Sequence, residues 1–118
     1  MKYLALVYLP ETEIQKMSVK EWDDLNAECI AYGDSITTSG HRLGGEALEP
    51  TNTATTVRVR NGKVTTTDGP FAETKEQLAG FYFLEAKDLN EAIQVSSRIP
   101  PARLGSVEVR PVRQLIRK

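Results

Sequence analysis

Residues 3–9, YLALVYL, are apolar on both alternating sets: Leu4, Leu6 and Tyr8 on one side, Tyr3, Ala5 and Val7 on the other. A strand of that kind is covered on both faces. Ser18 followed three residues later by Glu21 has the spacing of a capping box, in which each side chain satisfies the other's free backbone N–H. Trp22, Leu25, Cys29, Tyr32 and Ile36 then recur at steps of three and four, one apolar stripe of a helix that ends at Thr37-Thr38-Ser39-Gly40. From His41 to Asp68 the period shortens and β-branched residues accumulate, with Gly44-Gly45 as a bulge or bend and Pro50-Thr51-Asn52 as a connection. Thr55, Val57 and Val59 alternate with Thr56, Arg58 and Arg60, and Asn61-Gly62 supplies the two positive-φ residues of a tight type I′ hairpin. Its return strand, 63–67, runs into Asp68-Gly69-Pro70-Phe71, which stops a regular ladder.

A second doubly apolar strand follows at residues 80–86, GFYFLEA. Asp88 with Glu91 repeats the cap spacing, Leu89, Ala92, Ile93, Ser96 and Ile99 form a short helical stripe, and Pro100-Pro101 ends it. A last strand at 106–112 alternates Val107 and Val109 with Glu108 and Arg110. The order β-α-β-(β-hairpin)-β-α-β predicts an α+β, ferredoxin-like split βαβ sandwich with an inserted hairpin and both helices on one face. No element is left for the second face, where each exposed large apolar side chain forgoes about 1.5–3 kcal/mol. A homodimer packed sheet on sheet, a dimeric α+β barrel, is the expected remedy.

The chain has 118 residues, 15 Lys+Arg against 16 Asp+Glu, and one cysteine. The length fits a single domain, residues 1–118. Near-neutral charge gives no electrostatic basis for nucleic-acid binding. Cys29 alone makes no internal disulfide, and no apolar run approaches the ~20 residues needed to cross a bilayer. The N-terminal segment is too short in its apolar core for a signal peptide, so a soluble cytoplasmic protein with no membrane contact is expected. GxGxxG, P-loop, HExxH and GxSxG strings do not occur.

The string DGPFAETKEQLAGFY, Asp68 to Tyr82, closely resembles the signature of DGPF-domain proteins in the YCII-related (YciI-like) superfamily. MKYLALVY, GEALEPTNTATTVRVRNGKV and GSVEVRPV are similar to the same family, so the likeness covers most of the chain outside residues 10–40. The resemblance implies a bacterial protein forming a ferredoxin-like barrel from two chains, with a cleft on each between the sheet and the signature loop. It also implies a link to extracytoplasmic-function sigma factors, and related branches include a dehydrochlorinase and resemble muconolactone isomerases. Enzymatic relatives pair a histidine on the first helix with an aspartate near the sheet. Here that helix has no histidine, Asp68 matches the acidic position, and His41 is the one imidazole available to replace the missing partner.

Asp68 and His41 are accordingly the candidate acid–base pair, expected to approach in space, with Gly69, Pro70, Phe71, Lys75 and Arg103 as candidate ligand contacts. Each has a plainer reading. Asp68 before Gly-Pro is a common turn residue, and His41 suits a strand start. Lys75 belongs to a solvated turn with Glu73 and Glu76, and Arg58 and Arg60 suit cross-strand pairing with Glu108 or Glu46. Cys29 on the apolar stripe reads as buried and inert, and a lone histidine leaves no basis for a metal centre. The expected function is binding of a small organic molecule near the signature loop, with cofactor-free isomerase- or lyase-type chemistry. The alternatives are a non-catalytic regulatory module and a loop that merely closes the barrel.

Overall fold

The computed structural model describes residues 1–116. Its first strand, β1 at Lys2–Leu9, buries Tyr3, Ala5, Val7 and Leu9 and leaves Leu4, Leu6 and Tyr8 half-buried. The two alternating sets thus lie in different environments. A four-residue helical turn, α1 at Glu11–Ile14, follows and has no counterpart in the sequence pattern. Helix α2, Val19–Thr38, starts with both arms of the capping box formed: the Glu21 N–H donates to Ser18 Oγ at 3.1 Å and the Ser18 N–H donates to the Glu21 carboxylate at 3.0 Å. Strands β2 (Arg42–Ala47), β3 (Thr55–Arg60), β4 (Lys63–Asp68) and β5 (Gln77–Glu85), helix α3 (Leu89–Ser97) and strand β6 (Ser106–Pro111) complete the chain. At α3 the box is half built. Asp88 accepts from the Glu91 N–H, but the Glu91 carboxylate turns to the Lys87 N–H and to His41.

The main sheet has the order β2-β5-β1-β6, every neighbouring pair antiparallel. Each crossover, β1-α2-β2 and β5-α3-β6, skips one strand, which is the ferredoxin-like split βαβ arrangement. Both helices lie on one face: the Tyr32 hydroxyl of α2 donates to the Val95 carbonyl of α3 at 2.6 Å, and Ile36, Ala92 and Val95 join Tyr3, Ala5 and Leu84 in a single core. Strand β2 carries the bulge that Gly44-Gly45 announces, with its register against β5 shifting between Arg42 and Gly44. Glycine is required there, since Gly45 has φ 152° and a Cβ on it would stand 2.5 Å from the Phe81 carbonyl oxygen.

On the opposite face Leu4 pairs with Phe83 and Leu6 with Phe81, an apolar centre over which no helix lies among the described residues. Tyr8 is tied at its hydroxyl to Glu108, and the Lys2 ammonium stands 5.9 Å from the centre of the Phe83 ring.

Strands β3 and β4 form a separate two-stranded sheet with no ladder to the main one. Their turn is of the expected kind, Asn61 at φ 51° and Gly62 at φ 76°. The hairpin is amphipathic. Val57 and Val59 face Thr66 and Val64 across one side, and all three valines are more than half exposed. The radius of gyration, 16.3 Å, exceeds the ~13.5 Å of a compact chain of this length because this arm stands away from the core. The detachment also corrects one expectation. Among the described residues neither Arg58 nor Arg60 pairs with Glu108 or Glu46; Arg58 lies opposite Thr65, Arg60 lies opposite Lys63, and Glu108 meets Arg110.

Candidate functional site

Helix α2 does not lie flat on the sheet. Between it and strands β2 and β5 lies an open-mouthed cavity of about 400 Å³, within the size range of small-molecule sites. Because α2 and β2 run in opposite directions, the start of α2 stands beside the end of β2. Trp22, Leu25 and Leu48 therefore gather at one end, with Leu9 and Ala47. The other end brings together Arg42, Tyr82, Cys29 and Asp34. Trp22 and Asp34 are twelve residues apart on the helix, so the cavity extends along about 18 Å of it.

Gly33 lines the wall contributed by α2. A glycine inside a helix costs about 1 kcal/mol relative to alanine, and usually a close neighbour explains it. Here a Cβ on Gly33 would meet no atom beyond its own stretch of helix within 4 Å. The missing side chain leaves room in the cavity and nothing else.

At the polar end the Arg42 guanidinium lies over the Tyr82 ring, 5.9 Å from its centre. Its one hydrogen bond among the described residues runs from an Nη to the Gly45 carbonyl at 3.1 Å, and its buried Nε has no acceptor. No described carboxylate lies within ion-pair distance of it. Burial pushes the Tyr82 phenol above its ordinary value, helped by the Cys29 sulfur and opposed by Arg42. Burial likewise raises the Cys29 thiol, with Glu28 adding to the effect and Arg103 countering it. Both groups are protonated donors at neutral pH, and Cys29 is no thiolate nucleophile.

The residues singled out from sequence fall elsewhere. Asp68 ends β4, exposed and opposite Thr55. Gly69 continues the hairpin ladder, its N–H donating to the Ala54 carbonyl at 2.7 Å and its carbonyl accepting from Thr56 Oγ1 at 2.8 Å. Pro70 and Lys75 are exposed, and Phe71 is 82% exposed. None of these five residues lines the cavity. Arg103 comes closer: it is paired with Glu28 of α2, which ties the turn containing Pro101, a lining residue, to the helix wall.

His41 sits in a second, shallower depression with Met1, Glu85 and Glu91. Its Nε2 is 3.2 Å from Glu91 Oε1 and its Nδ1 is 2.7 Å from Ser39 Oγ. Since the carboxylate only accepts, Nε2 donates to it, while the Ser39 hydroxyl beside Nδ1 is also within 3.1 Å of the Ile36 carbonyl as a donor. The histidine thereby joins the end of α2 to the first turn of α3. It does not meet Asp68 within one chain. The Glu85 N–H donates to the His41 carbonyl at 2.7 Å, at the far end of β5. The base of the hairpin lies near the beginning of β5, where the Glu11 carboxylate accepts from Thr51 and the Glu11 N–H donates to Gln77. Nine residues of strand, about 26 Å, separate those ends.

The sequence pattern did not single out Arg42 or Gly33, and it placed Tyr82 only as a residue of a doubly apolar strand. A helix-interior glycine and an arginine at the helix-facing position of an edge strand were the available signals.

A family model described as the YCII-related domain matches residues 1–116. An uncharacterized protein of Rhizobium meliloti (strain 1021) is 37% identical over 115 residues, covering 95% of this chain and 92% of that protein.

Proposed function

The chain belongs to the YCII-related domain family, and from that premise we propose that it binds a small organic molecule in the cavity between α2 and strands β2 and β5. The observation that carries this reading is the cavity itself, lined by a glycine in the helix wall that no packing contact demands. Most of the polar groups converge at one end and the rest of the wall is apolar apart from Asn26, close to the usual division between groups that orient a ligand and surface that binds it.

Tyr82 and Cys29 supply hydrogen-bond donors for a developing negative charge, the requirement of cofactor-free isomerisation or elimination. An acid–base role shared by Asp68 and His41 needs one residue from each of two chains, given their separation within one. Two copies paired through the face of Leu4, Leu6, Phe81 and Phe83 are part of this proposal, because that apolar surface has no cover of its own among the described residues. Light scattering at micromolar concentration tests the pairing. The expected mass is about twice 13.1 kDa, and a well-behaved monomer overturns it.

Trp22 is the sole tryptophan and lines the cavity, so its fluorescence reports occupancy. Screening a library of small metabolites by Trp22 emission and thermal shift together tests the binding reading. A ligand that changes the emission and raises the melting temperature of the wild type, and does neither in Gly33→Leu, supports it. Ligands that bind both proteins alike place the site elsewhere.

A further inference from the structure

We infer that the ligand is a monoanion with an apolar body, typified by an aryl-substituted carboxylic acid, held head-first against Arg42 with its body toward Trp22. The inference rests on the cavity reading above and assigns the cavity a ligand class and a direction. Arginine is charged at any working pH and presents its donors as a planar fork matched to a carboxylate. In a half-buried site such a group is ordinarily paired, since an uncompensated charge away from water is unfavourable. Arg42 has instead a ring face beneath it and one carbonyl, leaving most of its fork without an acceptor. A ligand carboxylate completes that set with two parallel, charge-assisted bonds. The Tyr82 phenol and Cys29 thiol, both held protonated by burial, add donors and no competing negative charge.

The rest of the cavity sets the remaining chemistry. Toward Trp22, Leu25 and Leu48 the walls are apolar apart from the Asn26 amide, so the body of the ligand carries no second charged group there. Asp34 is an exposed residue on the cavity lining, whereas Glu46, opposite Phe81, reaches that lining only through its backbone. The Asp34 carboxylate leaves a single anionic head tolerable beside Arg42 and repels a ligand with a second negative charge. Dicarboxylates and phosphorylated compounds are thereby disfavoured.

Three probes of like shape separate these features: 3-phenylpropanoate, its neutral amide 3-phenylpropanamide, and the dianion phenylsuccinate, each titrated against Trp22 emission. The expected order in the wild type is propanoate at least tenfold tighter than the amide, with phenylsuccinate weaker than propanoate. Arg42→Gln is expected to bring propanoate down to the affinity of the amide while leaving the amide within about threefold. Equal affinity for propanoate and amide in the wild type overturns the anion assignment while a saturable amide signal keeps the cavity reading. Tighter binding of phenylsuccinate overturns the monoanion limit. No saturable Trp22 response to any probe, together with no hit in the metabolite screen, removes the cavity reading and this inference with it. The wild-type comparison stands whether or not the Arg42 variant folds.

Discussion

Replacing Gly33 is the sharpest test of why α2 stands off the sheet. Gly33 is in regular helix, and a Cβ there meets nothing beyond its own stretch of helix within 4 Å, so Gly33→Ala introduces no clash and recovers the helix propensity that glycine forfeits, about 1 kcal/mol. For 118 residues the entropy of unfolding is about 0.25 kcal/mol per kelvin, so the melting temperature should rise by about 4 °C. Gly33→Leu goes further, because its side chain projects into the cavity. It should be no less stable than the wild type and should abolish the Trp22 response to ligands. Thermal and urea denaturation give the stability, and Trp22 titration gives the binding. A destabilised Gly33→Ala refutes the reasoning, since it means that the helix wall packs on something at this position. A Gly33→Leu that still binds refutes the placement of the site.

Four further outcomes follow from local geometry. Ser18→Ala removes the cap on α2 and should cost about 1 kcal/mol in urea unfolding. The Glu21 carboxyl is held below its ordinary value, first by the Ser18 backbone N–H and then by the Ser18 hydroxyl. The stability it lends is complete above the unfolded-state value of ~4.3 and is lost as pH falls through the lower folded value, so Glu21→Gln should flatten that part of the acid-side stability curve. Tyr32→Phe deletes the 2.6 Å bond to the Val95 carbonyl and should cost about 1–2 kcal/mol, read by denaturant midpoint at unchanged slope. Gly62→Ala forces a side chain into φ 76° at about 1 kcal/mol or more. Because β3 and β4 are bonded only to each other, hydrogen exchange should quicken in these two strands while β1 and β5 keep their protection.

Local signals in the sequence determined the main elements and their order, the short helix α1 excepted. The Ser18–Glu21 spacing set where α2 begins, Asn61-Gly62 set the hairpin, Gly44-Gly45 announced the bulge, and the doubly apolar runs at Tyr3 and Phe81 marked the central strands. These are short-range effects, decided by dihedral preferences and by neighbours three or four residues away. The split βαβ order followed because few topologies accommodate two crossovers on one face. The site was not legible in the same way. Asp68 and His41 drew attention by residue type, and only the assembled fold shows Asp68 on the separate hairpin and His41 beside the far end of β5. Arg42 drew none, since a lone arginine on a strand normally reads as surface charge. Its half-burial, its missing acceptors and its place over Tyr82 arise only when α2, β2 and β5 are assembled. An element forms from contacts along the chain, whereas a cavity is the space between elements whose separation depends on side chains distant in sequence.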